Sequence, residues 1–378
     1  MLFWKLRQMR ARNPETRRGA AQTLGDSSDP RARAALTEAL LDPADGVVAA
    51  AAAALLEGGP EGTAALLAAL QRAGQRDGGE DWLRIMGLLA AAREPSVVDR
   101  LSRALDGQPA PLRREAVRVL AALGDPRATQ ALARAMGDAD DSVVTEAVQA
   151  LSHSGASALP HLLAALEGGG PTARRSVAKA LGRWPGAVVV EALMAALADR
   201  DSEVRRSAAR ALGELKEPRS LNALLGALRD TSGGVAQEAA VAVGTLADPR
   251  AVEPLIAAAR GQTGQGANLA VVEALGRLAD PRALEFLLQR LDHPDPRLVA
   301  AAAHALGTSK DPQAVDALIA KLEHGHETVR KAAAESLARI GNPMAATALT
   351  LAHERAARRG LPEEKDFARA LQQLRTQA

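Results

Sequence analysis

Along Ala251-Val-Glu-Pro-Leu-Ile-Ala-Ala-Ala and Ala283-Leu-Glu-Phe-Leu-Leu-Gln-Arg-Leu, apolar residues recur at i, i+3, i+4 and i+7. That spacing lines one face of an α-helix. Between such stretches stands a repeated phrase, clearest as Leu275-Gly-Arg-Leu-Ala-Asp-Pro-Arg282. Leu275 and Leu278 close the apolar face of one helix. Asp280 suits an N-cap, because its carboxylate can accept from a free N–H of the next helix. Pro281 suits the first helical position, where the missing N–H costs nothing. The phrase therefore reads as helix end, sharp turn, helix start.

The turn prolines set a period. Pro218, Pro249, Pro281, Pro312 and Pro343 stand 31, 32, 31 and 31 residues apart. Pro30, Pro60, Pro95 and Pro126 precede them, and the 92 residues from Pro126 to Pro218 hold three periods with degenerate turns near 155 and 185. Before the turns stand Ala-Leu-Gly at 211–213, 274–276 and 305–307 and Ala-Val-Gly at 242–244. A helical repeat of this length marks a solenoid, in which each pair buries its apolar face only against its neighbours. The expected fold is all-α: one right-handed α-solenoid of about twelve antiparallel helical pairs over residues 1–378. Gly-rich turns within pairs are expected at 73–80, 168–171 and 261–266, and no inter-domain linker is found.

The ends of such an array need covers. Leu2, Phe3, Trp4, Leu6 and Met9 are expected to cover one end within a capping pair at 1–25. The same first helix, with Lys5, Arg7, Arg10 and Arg12, carries a second reading as a membrane-surface contact. Phe367, Leu371 and Leu374 are expected to cover the other end within a capping pair at 343–378.

Composition narrows the chemistry. Only three Phe, three Trp and no Tyr accompany 47% hydrophobic residues, which favours helix over sheet. There is no Cys, so disulfides, thiolate metal sites and Cys nucleophiles are excluded. The net charge of +2 is nearly balanced. No run approaches the ~18 apolar residues of a membrane span. Lys5 and Arg7 break the N-terminal apolar run, so the expected location is cytoplasmic.

Asp199-Arg-Asp-Ser-Glu-Val-Arg-Arg-Ser-Ala-Ala-Arg-Ala-Leu-Gly213 resembles the second half of a HEAT repeat, in the short form called PBS-lyase HEAT-like. The resemblance covers essentially the whole chain. It implies an Asp/Arg ladder along the stack, matched by Asp199 and Arg205. Arg17, Arg113, Arg174 and Arg330 hold the Arg position in other repeats, and Val48, Val144, Ala236, Asn268 and Val299 replace it. It also implies that the second helix of each pair lines a concave surface.

On those second helices one basic stripe stands out. With 204, 208 and 212 turned to the core, 206 and 210 point away from it. The stripe comprises Arg114 and Arg118, Arg175 and Lys179, and Arg206 and Arg210, interrupted by Thr145 and Gln149. Its competing reading is a solvated face paired with nearby acids such as Glu115 and Asp141. Further on, Gln237/Val241, Leu269/Glu273, Ala300/His304 and Lys331/Glu335 make the same positions mixed.

Catalytic motifs are missing from the sequence: no Gly-x-Ser-x-Gly elbow and no phosphate-binding Gly-x-x-x-x-Gly-Lys-[Ser/Thr] loop. His326-Glu327 and His353-Glu354 resemble the His-Glu motifs of the HEAT-like deoxyhypusine hydroxylases, yet they stand 27 residues apart, out of step with the repeat. The first lies at an A–B turn and the second late in an A-helix; His324 and His326 read as solvated turn residues, and no metal or cofactor is expected. Trp82 and Trp184 are candidate surface aromatics, with packing between repeats the favoured reading. The expected function is a non-catalytic protein-binding scaffold or adaptor for an acidic protein partner. The alternatives are phosphate-backbone binding to nucleic acid through the same stripe, and an accessory subunit like those of the phycobilin lyases.

Overall fold

The computed structural model describes residues 2–73, 80–92, 95–261 and 265–377. The expected turns at 73–80 and 261–266 lie, over 74–79 and 262–264, outside the described residues. The chain divides into two compact units, Met1–Ala180 and Leu181–Ala378. Among the described residues all regular structure is helical.

The first unit holds α1 (Leu2–Gln8), α2 (Pro14–Leu24), α3 (Pro30–Ala39), α4 (Asp45–Glu57), α5 (Gly59–Ala73) and α6 (Glu80–Ala92). It continues with α7 (Pro95–Gly107), α8 (Ala110–Leu123), α9 (Ala128–Ala135), α10 (Asp141–Ser152), α11 (Leu159–Gly168) and α12 (Pro171–Leu181), whose last residue starts the second unit. The second unit holds α13 (Ala187–Ala196), α14 (Ser202–Leu215), α15 (Leu221–Ala227), α16 (Gly233–Leu246), α17 (Val252–Arg260) and α18 (Gln265–Leu278). It ends with α19 (Leu284–Arg290), α20 (Pro296–Ser309), α21 (Val315–Lys321), α22 (Glu327–Ile340), α23 (Ala345–Arg359) and α24 (Glu364–Gln377). Odd-numbered helices open each pair and even-numbered ones close it. These are the A- and B-helices of a helical-repeat solenoid.

B-helices pack side by side, α2 through α10 in the first unit and α14 through α24 in the second. Small residues make that approach possible. Ala208, Ala209, Ala332, Ala333 and Ala334 are fully buried. A Cβ added to Gly213, Gly244 or Gly276 would stand 2.8 Å from a Cβ of Ala242, Ala274 or Ala305 in the next B-helix. The glycine of Ala-Leu-Gly is thus a contact point inside the helix, which runs two residues further to Leu215, Leu246 or Leu278. The chain leaves the helix at Lys216, Ala247, Ala279 and Lys310, each left-handed with φ between 49° and 55°.

The turn phrase works as a clamp. Asp280 accepts from the Arg282 backbone N–H at 3.0 Å, and the Arg282 guanidinium donates to both carboxylate oxygens at 2.9 and 2.7 Å. These bonds pull the Asp280 carboxyl down to about 2. Arg282 also donates to the Pro249 carbonyl of the preceding turn at 2.8 Å. Asp29/Arg31, Asp125/Arg127 and Asp248/Arg250 repeat the clamp. Pro281–Ala283 forms one 3-10 turn before α19, so the α-helix proper starts later than proline placement suggests.

Arginines staple successive pairs. Arg205 donates to Asp230, at the A–B turn of the following pair, at 2.7 and 2.8 Å. It also donates to the Asp199 main-chain oxygen of its own A–B turn at 2.8 Å, so the rungs of the expected ladder run from the Arg of one repeat to the acid of the next. Arg17–Asp42 and Arg113–Asp138 follow the same geometry, and Arg330 binds Glu363. Two of the substituted positions, Val144 and Ala236, are followed by turns where Gly169 and Gly261 stand in place of the acid.

At the first helix Leu2, Leu6 and Met9 are half-buried while Phe3 and Trp4 are exposed. In α24, Phe367, Leu371 and Leu374 are buried, and Arg369 and Arg375 face solvent.

Candidate partner-binding surface

The helical phase inferred for the B-helices is the one observed. Val204, Ala208 and Leu212 of α14 are fully buried, and Arg206 and Arg210 are exposed. In α12, Ala173, Val177 and Leu181 are buried while Arg175 and Lys179 are exposed. In α8, Ala116, Val117 and Leu120 are buried, and Arg114 and Arg118 are half-buried. Residues two apart on a helix point about 200° from one another, which separates the two sets.

The six basic residues differ in their partners. In the first unit Arg118 donates to Glu115 at 2.9 Å and lies 5.0 Å above the Trp82 ring. The Trp82 indole N–H donates to the other Glu115 oxygen at 2.7 Å. Glu115 is only 2% exposed, so this Trp82–Glu115–Arg118 box joins α6 to α8 and takes Arg118 into the structure. Burial raises the Glu146 carboxyl of α10 above the ordinary carboxylate range, against the pull of Arg118 and Arg114. Among the described residues Arg114, Arg175 and Lys179 make no ion pair.

In the second unit Arg206 pairs with Glu203 at 2.7 Å and Arg210 with Glu238 of α16. Further along, Lys331 pairs with Asp366 at 3.3 Å and His304 lies 3.9 Å from Glu335. The cations of the stripe that make no ion pair therefore lie in the first unit. There a groove of about 490 Å³ opens along Trp82, Arg118, Glu146, Gln149 and His153.

Glu115 was legible as a possible neighbour of the stripe. Its role could not be read, because Trp82 approaches it from 33 residues away. The second named acid, Asp141, is exposed and forms no ion pair among the described residues.

Three histidines serve turns. His326 caps α22, and His324 accepts from the His326 backbone N–H at 3.0 Å. His293 accepts from Asp295 N–H at 3.0 Å. Asp42, Asp138, Asp199 and Asp230 hold equivalent turns in other pairs. Among the described residues no three His, Cys, Asp or Glu side chains gather as a metal would require. No helix among them is long and apolar enough to cross a membrane.

The repeated pairs, the B-helix glycines and the arginine staples define a helical-repeat protein. The sequence profile of HEAT repeats matches residues 5–57, 63–152, 159–243, 225–307 and 284–360, and the chain belongs to that family. Its fold is similar to that of importin beta, solved in an ammonium sulfate condition, at 14% identity and a TM-score of 0.55, covering 99% of this chain and 62% of that one. Kap121p bound to Pho4p is similar at 15% identity and a TM-score of 0.52, covering 94% of this chain and 47% of that one. The chain thus spans about half the length of these karyopherins. The complex of CpcE and CpcF of phycocyanin lyase from Nostoc sp. PCC7120 matches at 25% identity and a TM-score of 0.40, covering 58% of this chain and 94% of that chain. No curated protein sequence matches significantly.

Proposed function

We propose that the chain is a non-catalytic scaffold that holds an acidic protein segment on the B-helix surface of its first unit. The observation that carries this reading is the set of unpaired cations Arg114, Arg175 and Lys179. They occupy equivalent outward positions on α8 and α12, whereas Arg118 is paired with Glu115 and, in the second unit, Arg206 with Glu203. A cation with no described acid within ion-pair distance remains available to an external carboxylate. The HEAT-repeat fold supports the reading in kind, since Kap121p, which shares the fold, is solved bound to Pho4p.

The test uses a fluorescent polyglutamate peptide and polarisation at low and moderate salt. Replacing Arg175→Glu with Lys179→Glu is expected to weaken binding about ten-fold, roughly 1.4 kcal/mol. Arg206→Glu, which removes an already paired cation, is expected to have a smaller effect. Equal binding by the α12 variant overturns the assignment. A low-salt gel shift with duplex DNA, absent for the peptide, favours phosphate binding instead.

A further inference from the structure

The first helix carries a feature that capping leaves unexplained. Leu2, Leu6 and Met9, spaced as i, i+4 and i+7, turn inward and are half-buried. Phe3 and Trp4 turn outward, 82% and 63% exposed. In a chain with three Phe and three Trp, this helix alone presents one of each to solvent, side by side. Arg7 continues the outward line from Phe3 at i+4, and Arg10 and Arg12, in the turn that follows α1, are exposed beside it. No acidic residue occurs before Glu15, which pairs with Arg18 at 3.6 Å. Among the described residues Arg7, Arg10 and Arg12 make no ion pair. Lys5 does not join the line, because its ammonium donates to the Thr23 carbonyl at 3.1 Å.

We propose that this outward face, Phe3 and Trp4 flanked by Arg7, Arg10 and Arg12, docks on an anionic lipid surface. A Trp indole settles at the headgroup boundary, where its apolar body and its N–H both find partners, and a Phe ring beside it adds buried apolar area. Arginines beside them gain from a negative leaflet, and the gain fades within a Debye length. A short helix with two aromatics holds weakly by burial alone, so both contributions are needed. Charge complementarity selects the occupant: a carboxylate-free row of three unpaired guanidinium groups disfavours a second copy of the same face. This contact is separate from the acidic-partner surface on α8 and α12.

Sedimentation with vesicles tests it on the full chain. Vesicles of phosphatidylcholine mixed with phosphatidylglycerol are expected to bind at least about ten-fold more protein than phosphatidylcholine alone, and less as salt rises. Phe3→Ser with Trp4→Ser, and separately Arg7→Glu with Arg10→Glu, are each expected to lower binding about ten-fold, with circular dichroism unchanged because the inward residues are retained. Equal sedimentation with both lipid mixtures, or undiminished binding by the aromatic variant, overturns the proposal. So does a concentration-dependent dimer in gel filtration that is lost in the aromatic variant and accompanied by no vesicle binding.

Discussion

The Arg205 guanidinium grips both oxygens of Asp230 in the next helical pair, at 2.7 and 2.8 Å, and holds its own A–B turn through the Asp199 carbonyl. One side chain thereby positions two consecutive turns. Both partners are largely buried, with side-chain exposures of 14% and 11%. Geometry and burial together make the rung stronger than an ordinary surface ion pair.

Removing one partner leaves a buried charge. Arg205→Ala is expected to cost about 2–3 kcal/mol, and Arg205→Lys to recover only part of it, since an ammonium cannot form the fork. Urea unfolding of the single variants and of Arg205→Ala with Asp230→Ala measures this. Loss in the double variant should fall well short of the sum of the singles.

Acid should loosen the array from its turns. Hydrogen bonds from Arg113 and Arg205 depress the carboxyls of Asp138 and Asp230, and the Arg282 clamp brings Asp280 to about 2 from 3.8. A carboxyl lowered by folding stabilises the native state above its unfolded value and loses that contribution as pH falls toward its folded value. Stability is therefore expected to be level from neutrality to about pH 5 and to decline between about pH 4 and 2. Circular dichroism melts against pH follow the decline. Asp280→Asn should flatten part of it, because its amide oxygen keeps the cap without titrating.

Two neighbouring positions should respond in opposite directions. Gly276→Ala places a Cβ 2.8 Å from that of Ala305 and should destabilise by about 1–3 kcal/mol, as overpacked helix contacts do. Ala279→Gly relieves a left-handed alanine with φ 49° and should stabilise by up to about 1 kcal/mol. Thermal unfolding of the two variants distinguishes the roles.

Local chemistry made the repeat readable. Asp-Pro at 280–281 encodes a cap and a start within two residues, and the 31-residue recurrence of such turns exposes the architecture. The outward phase of Arg206 and Arg210 was also legible, because helical geometry alone sets it. The fate of those charges was not. Glu238 lies 28 residues from Arg210, and Asp230 lies 25 from Arg205. Within the expected ladder, which acid each Arg takes was not legible: Arg205 reaches forward one repeat to Asp230, because the next turn sits beside the same helix face.

The sequence by itself determined the helices, their pairing and their caps, because these depend on hydrogen bonds and side-chain phases within a few residues. It also determined which B-helix positions face away from the core. Only the tertiary structure decided that the Ala-Leu-Gly glycine is a contact with the next B-helix, that Arg118 is held by Glu115 and Trp82, and that Phe3 and Trp4 face solvent. Those outcomes depend on how closely one pair approaches the next. That distance is set by packing across the repeat, and no local pattern encodes it.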